Sequence, residues 1–506
     1  MPPYLPDEVL NEIFSHLLTP NRKHHFRHDW HDDCTQVRLV CKRWNVVATQ
    51  HLLSTVVLRH SCFTMNDNFR SWHKLLNSRP VRNSVRRIAI ETALQVEEWG
   101  SDDRGACEVS RWPLSWRRDG KWREFESAVN RLRHLPNLDA IEVRFTSTCI
   151  GPAGETEEAL EYPDYVNEPR EEPPSTRLYT LEAIARAMYE RNSHTNWNMA
   201  SELVLENLQN SPLPQNIMQY LLEGIERLHL KIVAEGDGTW SRPEPVKQLY
   251  REELREFPGF LEEDLFYRVS KIHLVDLTLA GKNWGGIPGH FRASSIKLPS
   301  LKTLTLEGLT ILNQDQFDWV LRTTTLTSLR LHSCAIATHC LVLQPEFSFW
   351  DVSLQGWKRV KDNTYAVSQH RHPISHTPDP GALVPGWYVN PLRWATLFGS
   401  IAERLRLLKN FSFDGEVWET YFRQDKQDDC SDGMEGRYLG FAQGWSCLNE
   451  PHTEWFEHCG YIQDGVPGKP EELLELTRQT DGEALEEVLR TVKERRSADR
   501  RHSPSN

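Results

Sequence analysis

One short pattern returns along most of the chain: an apolar residue, two of any kind, an apolar residue, one of any kind, an apolar residue. It runs through Leu53-Val56-Leu58, Val85-Ile88-Ile90, Leu138-Ile141-Val143, Ala200-Leu203-Leu205 and Ile225-Leu228-Leu230. It continues through Val269-Ile272-Leu274, Leu301-Leu304-Leu306 and Leu326-Leu329-Leu331, and weakly through Leu408-Phe411-Phe413. The last two apolar positions are one residue apart, so they share one face of an extended strand. Between these strands apolar residues recur at helical spacing. Examples are Phe125, Val129 and Leu132; Leu181, Ile184 and Met188; Phe317, Val320 and Leu321; and Trp394, Leu397, Ile401, Leu405 and Leu408. Strand alternating with helix restricts the chain to an α/β layout, a parallel curved sheet with helices outside it.

Ala200 to Ile225 and Leu301 to Leu326 are both 25 residues, whereas Val269 to Leu301 is 32. Cys334 follows Leu331 by three, and Leu208, Val233, Leu277 and Leu309 hold the same offset elsewhere. This resembles an irregular leucine-rich repeat, whose units run about 20–29 residues with Asn or Cys after the strand. Regular arrays have an Asn ladder there; this chain lacks one, so other groups must satisfy the turns. The competing expectation is a set of unrelated amphipathic strands in an α+β domain. Insertions interrupt the pattern at 151–176 (acidic and proline-rich, expected to be a mobile loop), 234–268 (expected to hold a helix) and 340–393. From Pro470 the chain reads as helix with a capping box at Thr480 and Glu483, then as a charged, disordered end after Lys493.

Residues 4–53 behave differently. Val9, Ile13 and Leu17 form one apolar row at i, i+4, i+8, and Leu10, Phe14 and Leu18 form a second beside it. Pro6 fits the first turn of that helix. Trp44, Val47, Ala48, His51 and Leu52 make a stripe on a later one, after the apolar run Leu39, Val40 and Cys41. Two adjacent rows give a face wider than a surface helix needs, on a unit close to the smallest that folds alone. Leu5-Pro6-Asp7-Glu8-Val9-Leu10, Ile13-Phe14, Leu17 and Arg38-Leu39-Val40-Cys41-Lys42-Arg43-Trp44 together resemble an F-box. The link at Thr19–Gln36 is longer than is usual in that family.

Joined to an irregular repeat, the module resembles F-box proteins of fungal type. The resemblance implies a substrate-receptor subunit of an SCF-type cullin-RING ubiquitin ligase. Leu5, Pro6, Leu10, Ile13, Phe14, Leu17, Leu39, Val40, Cys41 and Trp44 would then dock or shape a Skp-type adaptor, and through it a cullin. The implied organisation is an F-box over 1–53, an irregular repeat domain over 54–420 and a C-terminal extension over 421–506. The alternative is a protein-binding scaffold outside any ligase.

The chain has 506 residues, 39% of them hydrophobic, which is enough for a sizeable core. A net charge of −12 argues against a general nucleic-acid partner. The ten cysteines form no C-x-x-C, and no apolar run approaches a membrane span or follows a basic start. The expectation is a reducing compartment, cytosol or nucleus. No P-loop, nucleophile elbow or His-Glu-x-x-His occurs, so no catalytic residue, cofactor or metal is expected. His24 and His28 stand at helical spacing in a His- and Asp-rich insertion, without a second ligand pair of closed-site spacing. His332, Cys334, His339 and Cys340 form a loose group in which Cys334 already has a packing role.

Trp112, Trp116 and Trp122 lie among arginines. They are read either as a lid packed on the first repeats or as anchors for a partner. A protein substrate is expected on the strand face away from the leucines. Thr303 and Thr305 should there neighbour Ser328 and Arg330.

Overall fold

The computed structural model of the protein describes residues 6, 9–10, 12–14, 37–59, 65–92, 113–146, 149–150, 174–193, 197–233, 235–236, 252–271, 273–285, 291, 293–342, 354–361, 386–415, 434, 436–442 and 470–502. Two units are formed. The first comprises Met1–Ser147, Glu157–Glu206 and Gln219–Ile225, the second Thr148–Thr156, Asn207–Met218 and Glu226–Asn506. In chain order the strands begin with β1 (Thr55–Arg59), β2 (Arg87–Glu91), β3 (Ala140–Arg144), β4 (Cys149–Ile150), β5 (Glu202–Gln209), β6 (Arg227–Val233) and β7 (Glu235–Gly236). They continue with β8 (Asp276–Trp284), β9 (Thr303–Ile311), β10 (Ser328–His332), β11 (Ala335–Val342), β12 (Lys358–Lys361), β13 (Gly386–Val389), β14 (Asn410–Asp414) and β15 (Tyr438–Ala442).

In the first unit β1, β2, β3 and residues 202–206 of β5 pair in parallel, in that order. The register puts Val56, Ile88, Ile141 and Leu203 in one row and Leu58, Ile90, Val143 and Leu205 in the next. All eight are buried. These are the last two apolar positions of the sequence pattern. The first position precedes each strand, and Val85, Leu138 and Ala200 are buried there. The Met65–Asn77 helix buries Phe69, Trp72 and Leu76 at i, i+3, i+7, and Trp72 Nε1 donates to the Ala128 carbonyl at 3.0 Å. A helix also begins at Pro174, inside the span expected to be a loop, and runs to Asn192. Proline suits a first helical turn because its missing N–H has no partner to lose there. Residues 151–173 of the expected acidic loop lie outside the described residues.

The second unit repeats the arrangement. β6, β8, β9, β10 and β14 pair in parallel. Leu228, Leu277, Leu304, Leu329 and Phe411 form one row, and Leu230, Leu279, Leu306, Leu331 and Phe413 the next. The entry to each strand is stitched alike in both units, one carbonyl accepting from two successive amides of the neighbour. Ser54 O does so for Arg86 and Arg87, Arg86 O for Asp139 and Ala140, and Asp139 O for Ser201 and Glu202. Glu226 O, Val275 O, Lys302 O and Thr327 O continue the series in the second unit. Two residues past the second leucine, positive φ occurs at Asn207 (60°) within β5, at Gly308 (66°) within β9 and at Ser333 (49°) just after β10. Asn enters this left-handed region more easily than most residues, and Gly without steric cost.

Past Gly308, β9 leaves β10, and Thr310–Ile311 pair with Ala335–Ile336 of β11. β11 continues antiparallel to β13, which is antiparallel to β12, and β15 pairs in parallel with β11. The span expected only as an insertion at 340–393 therefore contributes strands.

Three expectations need correction. Of Val269-Ile272-Leu274, Val269 is in no strand, since it closes the helical turn Tyr267–Val269 after a π-helical segment, Phe260–Phe266, Leu274 precedes β8, and Ile272 lies outside the described residues. Leu274-Leu277-Leu279 carries the same pattern five residues later and leads into β8. The stretch from Lys493 to His502 is not disordered: one helix runs from Pro470 to His502. Its anchor is the wholly buried pair Arg437–Asp481, 2.8 Å from Nε to carboxylate. Further along, Arg495 donates to the carbonyls of Leu405 and Ala402 at 2.7 Å each, and Lys409 pairs with Asp499. Thr480 caps nothing; it sits in mid-helix and donates to the Thr477 carbonyl at 3.1 Å.

Candidate functional site

The amide of Leu10 donates to the Pro6 carbonyl at 3.1 Å, which places Pro6 at the start of the first helical turn. Leu10 and Phe14 then point into a small core with Val47 and Ala48 of the Lys42–Leu52 helix, bordered by Val37, Trp44 and Leu52. The Phe14 ring meets Trp44 edge-on at 5.4 Å and His51 at 6.1 Å. Burial lowers the pKa of His51, which favours a neutral ring in this contact. Cys41 precedes the second helix in extended backbone, and its carbonyl accepts from the Asn45 amide at 2.9 Å. Asn45 Oδ1 in turn accepts from Arg38 Nε at 2.9 Å, fixing the turn that presents residues 39 and 40.

The two apolar rows therefore divide. Leu10 and Phe14 are the module's own core, with Trp44 packed against them, and act on a partner only through shape. The other row faces out: Val9 is 40% exposed and Ile13 37%. Leu39 at 77% and Val40 at 61% stand further out still, and Pro6 and Cys41 are exposed as well. Leu5 and Leu17 lie outside the described residues. Val46, 58% exposed, belongs with the outward set and was not among the expected residues. Its signal was available, since it is an apolar residue that falls off the buried stripe of its helix.

The expected substrate residues are brought together. Thr303 pairs in register with Ser328, and Thr305 with Arg330. Arg330 does not stand alone: its Nη2 donates to Asp414 at 2.9 Å, and His332 Nδ1 also donates to that carboxylate. Burial alone would raise the Asp414 carboxyl, but the bonds from Arg330 and His332 outweigh it and hold the group below its ordinary value.

Of the Trp/Arg segment, Trp116 and Trp122 are core residues. Trp116 lies 5.9 Å from Trp122 and 5.2 Å from Phe125, and Trp122 lies 5.4 Å from Phe69. That settles these two as packing rather than as anchors; Trp112 lies outside the described residues, as does the His-rich insertion at 19–36. Cys334 is buried, with Sγ donating to the Leu306 carbonyl at 3.3 Å, and burial pushes its thiol up to about 12. His339 and Cys340 are buried as well, and no group of three or more His, Cys, Asp or Glu able to hold a metal occurs among the described residues. Nor is any helix among them long and apolar enough to cross a membrane.

Residues 3–59 match the family model for F-box-like domains. The N-terminal module is thus an F-box-like domain, and F-box domains generally bind Skp-type adaptors. No curated protein matches the chain.

Proposed function

We propose that this chain is a substrate-receptor subunit of an SCF-type ubiquitin ligase. Its F-box-like domain docks a Skp-type adaptor through Pro6, Val9, Ile13, Leu39 and Val40, and the adaptor links it to a cullin. The observation that carries the reading is the exposed apolar face on a domain of the matching family. Covering a Leu or Val side chain is worth about 1.5–3 kcal/mol, and a lone domain has no reason to leave several such side chains uncovered. The rest of the chain acts as an irregular leucine-rich-repeat domain that holds a protein substrate for ubiquitin transfer. Three features support that part: the recurring leucine rows, the shared stitching at each strand entry, and the left-handed bend at a constant offset. The chain performs no chemistry of its own in this reading, and it works in the cytosol or nucleus.

The test is co-purification of the full chain with adaptor and cullin. Leu39→Asp with Val40→Asp should weaken adaptor binding by roughly a hundredfold or more, since two covered side chains are lost. Circular dichroism should stay unchanged, because neither residue is in the core. Exposed Cys41 provides a second reading: maleimide should label it in the free chain and be blocked in the complex. Retention of the adaptor at wild-type level by the double variant would overturn the docking face. Purification with neither adaptor nor cullin would leave a scaffold outside the ligase.

A further inference from the structure

We infer that the strand face of the second unit takes an extended polypeptide segment carrying both charges, an acidic side chain against Lys231 and a basic one against Glu307. The inference rests on the reading above that this face holds a protein substrate, and it names the chemistry of the segment held. Lys231 stands on β6, with Ala280 opposite it on β8 and Glu307 opposite Ala280 on β9. His332 on β10 and Asp414 on β14 complete the row.

Most charges on this face are already engaged. Arg330 Nη2 donates to Asp414 at 2.9 Å, and His332 Nδ1 donates to the same carboxylate. In the neighbouring row His229 Nδ1 and Thr278 Oγ1 share a hydrogen bond of 2.8 Å. Arg227 and Asp276, at the strand entries, are not free either. Among the described residues, the Lys231 ammonium and the Glu307 carboxylate have no hydrogen-bond or ion-pair partner. Lys231 is exposed and Glu307 half-buried. A half-buried carboxylate gives up part of its hydration and here receives no cation in return. The strand face of the first unit is the contrast: Arg87 meets Glu142 and Glu202, and Arg144 meets Glu91, Glu142 and Glu206. Ala280 keeps Lys231 and Glu307 two strand spacings apart, roughly 10 Å between Cα atoms.

Charge complementarity selects the ligand. An unmatched cation and an unmatched anion ask for a partner with both signs, because a like charge at either place repels. Glu307 therefore turns away nucleic acid and other polyanions. A free amino acid is too small, since its two charges sit on one carbon. A polyproline-II segment has three residues per turn and a rise of 3.1 Å, so residues i and i+3 face the same way about 9 Å apart. That spacing matches the two groups. Such a segment also leaves its backbone polar groups unpaired. The Thr305 side chain, two residues before Glu307 on the same strand face, has no partner among the described residues and is placed to bond that backbone.

The test uses the full chain and fluorescence anisotropy. The probes are degenerate proline-rich peptide pools fixed only at positions i and i+3. One pool carries an acidic and a basic residue there, in both orders; the others carry two acidic, two basic or two glutamine residues. The mixed pool should bind about fivefold more tightly than the glutamine pool, the scale of two exposed ion pairs. Lys231→Glu should move first place to the two-basic pool, and Glu307→Lys to the two-acidic pool. Neither side chain holds another residue, so thermal unfolding, recorded alongside, should not change. A mixed pool that binds no more tightly than the glutamine pool, or a ranking that both variants leave unchanged, would overturn the inference. Adaptor co-purification from the same samples separates it from the reading it rests on. Lost adaptor binding with the pool preference intact overturns the ligase and supports the site; intact adaptor binding without the preference overturns the site alone.

Discussion

The strand rows of the two units follow one pattern and differ in what they place opposite the apolar rows. In the first unit the opposite face is a ladder of charge: Arg59, Glu91, Arg144 and Glu206 lie in one row, with Arg87, Glu142 and Glu202 beside them. Arg144 Nε reaches Glu142 at 2.6 Å and Glu206 at 3.3 Å, and Arg87 Nη2 reaches Glu202 at 2.6 Å. Glu91, Glu142 and Arg144 are all buried. In the second unit the corresponding rows read His229, Thr278, Thr305, Arg330 and Ser412, then Lys231, Ala280, Glu307, His332 and Asp414. Most of these side chains are half-buried, and Arg330 is exposed. One backbone arrangement thus supports a face satisfied within itself and a face with hydroxyls and charges still able to meet a partner. The strand register decides where the side chains stand; the residue types at alternate positions decide whether anything is left to bind with.

The largest effects should come where buried charge loses its counterpart. The second unit keeps such a pair off its strand face, at Arg437 and Asp481. The Asp481 carboxylate accepts from Arg437 Nε at 2.8 Å, the Tyr438 hydroxyl at 2.8 Å and the Ala395 amide at 3.0 Å. Asp481→Ala would strand a buried guanidinium and two further donors, a loss near the upper end of about 3–5 kcal/mol. Thermal unfolding should record it, and protease should reach the Pro470–His502 helix first. Next, Arg144→Ala leaves Glu91 and Glu142 buried without their cation and should cost about 3–5 kcal/mol on the same principle. The partner substitution Arg330→Ala, whose side chain is 51% exposed, should change stability by no more than about 0.5 kcal/mol. Equal costs for Arg144→Ala and Arg330→Ala would dissolve the distinction between the two faces. For binding the order reverses: Arg330→Glu with Thr305→Arg should abolish substrate capture and leave adaptor binding intact, read by comparing the captured proteins.

Much of this was legible in the chain. Leu304 and Leu306, or Ile141 and Val143, report their burial by spacing alone, because alternate positions of a strand must share a face. The rows at Val9/Ile13 and Leu10/Phe14 were visible too, but periodicity could not say which faced out. That depends on where Val47 and Ala48 of the second helix sit, a tertiary fact. β11, β12, β13 and β15 escaped because antiparallel or edge strands such as Gly386–Val389 carry no leucine pattern. The continuous helix after Lys493 escaped because its charge run looks solvated, while the carbonyl that Arg495 reaches, that of Leu405, is 90 residues away in the chain.

The smallest effect sharpens the comparison most, because it asks how far the second face is satisfied within itself. Burial tends to raise the Asp414 carboxyl, and the hydrogen bonds and charges of Arg330 and His332 more than offset that. Its pKa in the folded chain therefore lies below the ordinary carboxylate value. A depressed carboxylate contributes stability that is fully present above the unfolded-state value and is lost as pH falls through the folded-state one. Arg330→Gln removes the first of the two partners, so the Asp414 midpoint should move up toward the ordinary value. The contribution at neutral pH should shrink, and less stability remains to be lost on acidification. Carbon-detected NMR titration of the Asp414 carboxyl in both chains measures the shift directly. A midpoint that rises confirms an Arg330 side chain engaged with its own sheet, which a partner must compete for. An unchanged midpoint means that the Arg330–Asp414 bond does not hold in solution, and the second face is then more open than the ladder of the first.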